Sequence, residues 1–498
     1  MATRPTKAGA TSMDPSASDA ALTERVAWLA RVTRGASEFA DSEDDFARRM
    51  EIHSIFVDGE TVEAWESGAR PITAAVLQAY ETVLGFPSGR LTGPCTAFSR
   101  LLVGHGLEPP RVLPAPEARR ELDRLADLIR NGFPTGRDWM SLAHLITQPE
   151  GAMLPGFLER EWLYQLIDEM SRSTGEPYLT RTEALSRLMG HELQAQRLVA
   201  LVRDRVHEAG AQAIVDVLAV WGAGRDLASV DAAIALLVED DEAVRAGAGA
   251  ALVGRMYAGS FPAWQQQRLK AALELLSTRA PASLSSEEIT LGTHLAPELG
   301  IELAKSAGRS VSAPGSDEAP PIEAFLRTVS QQVDLDADPV LADLLREAFG
   351  SPAPAYRTRA TLMIAASPMA PVVARVCLAL HRDHTDAALS RGAGLMVGNL
   401  ATHLTQEDLL ELLALKEPRR SAHALVGLAH SYGVPDHIDL EPYILEPQIS
   451  RQALYAAGMS QHPVLARLDQ IAETPAAVRQ TARWWIDHGG RVWDSEPA

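Results

Sequence analysis

The chain has 498 residues, with 65 acidic against 46 basic side chains and a net charge of −19. That length exceeds what one hydrophobic core fills, so a small domain joined to a long one, or several modules, is expected. A field of that sign repels phosphate backbones, anionic lipid and acidic substrates, which restricts any nucleic-acid contact to a local patch.

Hydrophobic residues make up 46% of the chain and aromatics only 5%. The apolar share is mostly Ala and Leu, which favours helix packed on helix. The two cysteines, Cys95 and Cys377, are far apart in sequence, which argues against a disulfide framework and fits a reducing cytoplasm. No run of roughly 18 uninterrupted apolar residues occurs, so no membrane span is expected; the best stretch, Ala211 to Val220, is broken by Gln212 and Asp216. Residues 1–20, rich in Ala, Ser, Thr and Pro, lack the apolar segment of a signal peptide and read as a disordered tail.

The expected fold is all-α throughout, since no convincing alternation of apolar and polar residues suggests a sheet. A head follows the tail over residues 21–106. In it Ser42-Glu43-Asp44-Asp45 opens a helix with Phe46, Ala47 and Met50 inward, and Asp58 to Glu66 opens a second with Val62 and Trp65 inward. Gly68 ends the second helix. Val76, Leu77, Tyr80, Val83 and Leu84 then recur at helical spacing up to Gly85. Four prolines between Leu107 and Ala118 remove backbone donors and mark the end of the head.

From Glu117 onward the apolar residues keep helical spacing, as in Leu122, Leu125, Leu128 and Ile129. Residues 117–307 form one helical region. Gly308 to Pro321 mixes Gly, Ser, Pro and charge, a composition expected of a flexible insertion at 308–321, and residues 322–498 form a second helical region. Gly350 to Pro354 is a short connector within it.

An internal repeat runs through both regions. VRAGAGAAL (Val244 to Leu252), YRTRATLMI (Tyr356 to Ile364), SRGAGLMVG (Ser390 to Gly398), RRSAHALVG (Arg419 to Gly427), SRQALYAAG (Ser450 to Gly458) and VRQTARWWI (Val478 to Ile486) share an Arg in their second column. Arg357, Arg391, Arg420, Arg451 and Arg479 follow one another at 34, 29, 31 and 28 positions, which accommodates two short helices and two turns per unit. The pattern resembles HEAT-like repeats, whose second helix opens with a small or β-branched residue, an Arg and an Ala-rich face. The resemblance implies an α-solenoid of helix hairpins and no chemistry. The repeated arginines are expected to pair inside the molecule with turn acids such as Asp241, Asp386 and Glu473; the alternative is a basic stripe facing a groove.

The head resembles the Xre/Cro-like helix-turn-helix domain of actinobacterial regulators. The match is carried by Phe46-Ala47-Arg48-Arg49-Met50, by Thr61-Val62-Glu63-Ala64-Trp65-Glu66-Ser67-Gly68 with Arg70-Pro71, and by Leu77, Tyr80, Leu84, Gly85 and Gly89. In that family the helix ending in Trp-Glu-x-Gly lies in the DNA major groove. Carried over by position, Glu60, Thr61, Glu63 and Ala64 would face base edges, while Arg48, Arg49 and Arg70 would lie nearest phosphates. The resemblance therefore implies a transcriptional regulator that contacts an operator-like DNA site through residues 43–71. Its helical repeats would supply a protein partner surface or self-association, and a homodimer is expected.

The head departs from the pattern in two ways. The turn between Ala47 and Trp65 is longer than usual and includes Ile55-Phe56-Val57. Residues 20–92 also hold seven Arg, no Lys and twelve Asp plus Glu, opposite in sign to the usual DNA-binding domain. The alternative is a protein–protein interaction scaffold whose acidic head no longer binds DNA.

No enzymatic constellation is found and no cofactor or metal is expected. Cys377, His381 and His384 share a helical face and could hold a metal with His403 as fourth ligand, but they are assigned to a helix end, where histidines cap carbonyls or sit in water. Asp334, Asp336 and Asp338 alternate like a calcium loop, yet Pro339 and Leu345 occupy the places that require Gly and Glu, so they are assigned to a helix start. Gly247, Gly249, Gly392, Gly394 and Gly398 lie inside the repeat helices and are assigned to close packing. The acidic run Glu239 to Glu242 is assigned to a helix start.

Overall fold

The computed structural model describes residues 15–494, apart from 54, 109–111, 133, 150–153, 225, 260, 309–320, 352 and 472. Most of the expected insertion, and most of the expected tail, lie outside the described residues. Among the described residues all regular structure is helical, and no helix is long and apolar enough to cross a membrane.

The first five helices are α1 (Pro15–Gly35), α2 (Glu43–Glu51), α3 (Gly59–Glu66), α4 (Ala74–Val83) and α5 (Thr92–Val103). Their starts follow the caps: the side chains of Ser42, Asp58 and Thr73 accept from backbone N–H groups of Asp45, Thr61 and Val76, filling donors that the first turn leaves open. Gly68 and Gly85 end α3 and α4 with φ of 78° and 69°, a region that suits glycine. The inward residues are those the spacing indicated, Phe46, Ala47 and Met50 on α2 and Val62 and Trp65 on α3. Residues 15–20, read from sequence as tail, form the first turns of α1.

The middle region holds α6 (Ala115–Arg130), α7 (Gly136–Thr147), α8 (Gly156–Ser171), α9 (Gly175–Met189), α10 (Glu192–Val206), α11 (Ile214–Ala219), α12 (Leu227–Leu236), α13 (Glu242–Ala258), α14 (Ala263–Arg279), α15 (Ser286–Leu295) and α16 (Pro297–Ser306). The last region holds α17 (Pro321–Ser330), α18 (Pro339–Gly350), α19 (Pro354–Ala366), α20 (Ala370–Asp383), α21 (Ala387–Leu400), α22 (Gln406–Ala414), α23 (Pro418–His430), α24 (Glu441–Ile444), α25 (Ser450–Met459), α26 (Val464–Gln470) and α27 (Ala476–His488).

The repeat motif has a direct structural counterpart. Each of its last five occurrences lies in α19, α21, α23, α25 or α27, and each of these helices packs on the next. Their partners α18, α20, α22, α24 and α26 pack on them in turn. Small residues allow the close approach. A Cβ at Gly392 would sit 2.5 Å from the Phe349 ring, one at Gly394 2.4 Å from His423 Nδ1, and one at Gly458 1.9 Å from the Trp485 ring.

Of the repeated arginines Arg420 pairs with a turn acid, Glu417, at 3.1 Å, while Arg245, Arg357 and Arg420 also reach backbone carbonyls or a side chain across the turns. Arg357 Nη1 donates to the Ser351 carbonyl at 2.6 Å, Arg245 Nη1 to the Glu239 and Asp240 carbonyls, and Arg420 Nε to the His381 carbonyl at 3.0 Å. Asp241 and Asp386 instead cap α13 and α21. Arg391 and Arg451 are exposed. A helix end leaves carbonyls unpaired, and an Arg one turn into the next helix reaches them more readily than it reaches an acid already bound to backbone N–H groups.

Buried apolar residues fall into two clusters. One joins the head, from Val26 to Phe98, with Phe325 to Trp485; the other runs from Ala118 to Leu303. The head is thus seated on the last region: Trp28 Nε1 donates to Asp338 Oδ2 at 2.8 Å, Arg25 pairs with Glu347, and Arg90 Nη2 donates to the Ala365 carbonyl at 2.7 Å. The C-terminal end folds back on the middle region. Val492 N donates to the Arg172 carbonyl at 2.9 Å, Asp494 accepts from Arg181 Nη1 at 2.7 Å and from Gly136 N at 2.8 Å, and the Arg205 guanidinium lies 4.5 Å over the Trp484 ring.

Gly458→Ala places a methyl group inside the Trp485 ring position. The clash outweighs the better helix propensity of Ala, and the variant should lose about 1–3 kcal/mol of stability. Urea unfolding of the two chains measures this; equal or higher stability in the variant contradicts the close packing of α25 on α27.

Candidate nucleic-acid interface

The platform under the expected DNA-contacting residues is a buried polar network. Arg34, at the end of α1, donates from Nε and Nη2 to the two oxygens of Glu66 at 2.8 Å each. Tyr80 donates its hydroxyl to Glu66 Oε1 at 2.9 Å, Arg34 Nη1 donates to the Phe39 carbonyl at 2.7 Å, and Glu43 also pairs with Arg34. One guanidinium therefore ties α1, α2, α3 and, through Tyr80, α4. The Glu66 hydrogen bond and charge raise the Arg34 pKa. Burial, reinforced by Glu66, raises that of Tyr80 well beyond its ordinary value, so Tyr80 stays protonated and donating. The Glu of the Trp-Glu-Ser-Gly string is thus a structural residue.

A second buried carboxylate fixes the exit of the head. Glu81 accepts from the N–H groups of Gly89, Leu91 and Thr92 and from the Thr92 hydroxyl. A carboxylate against the first turn of α5 is favourable in both hydrogen bonding and dipole. Sequence reasoning assigned neither Arg34 nor Glu81; the signal available for Arg34 was its place at the end of an apolar run with Val26, Leu29 and Ala30, all buried.

The seven sequence-derived contact residues sit on α2, on α3 and directly after it. Glu60 and Glu63 are exposed, and Thr61 and Ala64 are half-buried. The Thr61 hydroxyl donates to Asp58 Oδ1 at 2.6 Å and its N–H to the same oxygen at 2.9 Å, so Thr61 is engaged in the cap. These bonds lower the Asp58 pKa. Arg48 is exposed and paired with Asp45. Arg49 is exposed, with no ion pair among the described residues. Arg70 is exposed, its guanidinium 5.8 Å from the Trp65 ring centre and its N–H donated to the Ala64 carbonyl at 2.8 Å.

The longer turn divides its apolar residues. Ile55 and Val57 pack against the head core, whereas Phe56 is 79% exposed and Ile52 66% exposed. The surface beside α3 therefore carries acidic groups, three arginines and an uncovered aromatic ring.

No metal constellation forms among the described residues. His381 is buried, its Nδ1 2.8 Å from the Ser390 carbonyl and its Nε2 3.0 Å from His423 Nδ1. Cys377 is buried, which raises its thiol pKa beyond the usual range. His384 accepts the Asp386 N–H at the turn into α21. Asp334 accepts from the N–H groups of Asp336 and Ala337, and Asp338 caps α18.

No family model matches the chain, and no curated protein matches it significantly.

Two predictions follow from buried groups. Arg34→Ala leaves Glu66 charged and buried without its bidentate partner, which should cost about 3–5 kcal/mol; a loss below 1 kcal/mol by chemical denaturation would remove the network from its organising role. His423 and His430 are each held at about 4 by burial, with the His381 ring and the Arg491 charge adding to it respectively. Since these folded-state values lie below the ordinary 6.5, unfolding takes up protons. Their contribution to stability is complete above pH 6.5 and is lost as pH falls toward 4. The slope should be about 1.4 kcal/mol per pH unit for each group, read from unfolding midpoints across that window.

Proposed function

We propose that the chain is a DNA-binding regulator in which α2 and α3 form the helix-turn-helix element and the helix pairs from α18 to α27 form a HEAT-like α-solenoid that carries self-association or a partner. The observation that bears the first part is the exposure of Arg48, Arg49 and Arg70 around an α3 whose outward residues Glu60 and Glu63 have no structural duty within the head. The rigid seat supplied by Arg34, Glu66 and Tyr80 supports it, because base-edge contacts need a helix held in fixed orientation. The succession of α19, α21, α23, α25 and α27 supports the solenoid reading. Pairing of two chains through this region would offset weak contacts by each acidic head.

A second reading is favoured by Phe56 and Ile52. Exposed Phe56 and Ile52 on a head that also exposes Glu51, Glu60 and Glu63 suit a basic protein surface with an apolar pocket better than a phosphate backbone.

Retention of genomic DNA fragments as a function of salt separates the two. DNA binding through Arg49 and Arg70 predicts retention at low salt that falls steeply as salt rises, and Arg49→Ala with Arg70→Ala should reduce the slope of log affinity against log salt by about 2. Glu60→Gln with Glu63→Gln removes repulsion and should strengthen non-specific retention. No retention at low salt by either the unaltered chain or the Gln variant excludes the regulator reading.

A further inference from the structure

A cavity of about 510 Å³ lies where segments distant in the chain converge: α5 of the head, α9, α11 with the turn that follows it, α13 and α19. Pockets that hold metabolite-sized ligands have this volume and are apolar with a few converging polar groups. Much of this wall is apolar and small, including Ala97, Ala219, Ala250 and Ala355. Three arginines line it, and they differ. Arg100 is engaged by Glu183, with Nε donating to Oε2 at 2.8 Å. Arg255 and Arg359 have no carboxylate within ion-pair distance among the described residues.

Asp216 faces the same space and accepts the Tyr178 hydroxyl at 2.9 Å. Asp216 is exposed to the solvent of the cavity, with the surrounding helices close about it. Burial raises its carboxyl pKa, and the charges of Arg359 and Arg451 oppose that rise. Glu287, on α15, also lines the cavity. Arg255 and Arg359, half-buried and in no ion pair among the described residues, offer charge-assisted donors to an anion from solution.

We propose that this cavity binds one metabolite-sized organic anion, its acidic group held by the unpaired arginines of the wall and its apolar body lying along the Ala-lined side. The Asp216–Tyr178 pair offers an acceptor for a hydroxyl or amine of the same ligand. The proposal is independent of whether the head binds DNA. Because α5 is one of the walls, an occupant bridges the head to α13 and α19.

The probe is 8-anilinonaphthalene-1-sulfonate, an anion with an apolar body, titrated against the full chain by fluorescence. One saturable site per chain is expected, and the uncharged N-phenyl-1-naphthylamine, which shares the rings and lacks the sulfonate, should bind at least about tenfold more weakly. Arg255→Ala with Arg359→Ala should weaken the sulfonate at least about tenfold and leave the uncharged dye unchanged, while the corresponding Lys pair should retain most of the affinity. Ala219→Trp, which fills the cavity and leaves Ile52 and Phe56 untouched, should abolish the site. Equal affinity for the two dyes, non-saturable binding, or sulfonate binding unaltered by either the Ala pair or the Trp overturns the proposal. The two-dye comparison on the unaltered chain decides even where a variant does not fold.

Discussion

A pair of short amphipathic helices cannot cover its own apolar side, and from α18 to α27 each pair packs on the next. Gly392, Gly394 and Gly458 are where that packing is most visible, because a neighbouring ring occupies the space of the missing side chain. The same requirement acts at the ends of the array, where no further hairpin is available. One end of the last region is covered by the head, through Trp28, Arg25 and Arg90. The other end is covered by the chain itself, since Val492 and Asp494 return to Arg172, Arg181 and Gly136.

Packing of the helices brings charged groups into enclosed places, and the molecule treats them in two ways. Arg34, Arg181 and Glu81 are matched by several fixed partners, so burial is offset by geometry. Arg255 and Arg359 line a cavity with no ion pair among the described residues, and the Arg359 charge acts on Asp216 across it. The contrast lies between charges that hold the fold and charges that remain available.

The head shows a similar division. Its inner face is a conventional core with Phe46 against Tyr80 at 4.5 Å, edge to face, joined to a carboxylate–guanidinium pair that fixes four helices. Its outer face carries Glu60, Glu63, Arg49, Arg70 and Phe56. Apart from Arg70, which lies over the Trp65 ring, these groups face outward from the head core.

Helix existence was legible in the sequence because spacing of apolar residues and capping chemistry are local: Ser42 and Asp58 each cap the helix their position indicated, whereas Asp386, read as a partner for a repeated arginine, caps α21. The repeat was legible because every unit must present the same small face to the next. The partners of the repeated arginines were not, since a carbonyl left open by a neighbouring helix end has no sequence signature. Nor were the bonding of Arg34 to Glu66, the seating of the head on α18 and α19, or the cavity beside Asp216, because each joins residues separated by tens to hundreds of positions. The sequence by itself determined an all-helical chain with its helix starts, its repeat and the composition of its head surface; only tertiary packing decided which charges became buried pairs and which stayed open, because that depends on which helix ends and faces meet.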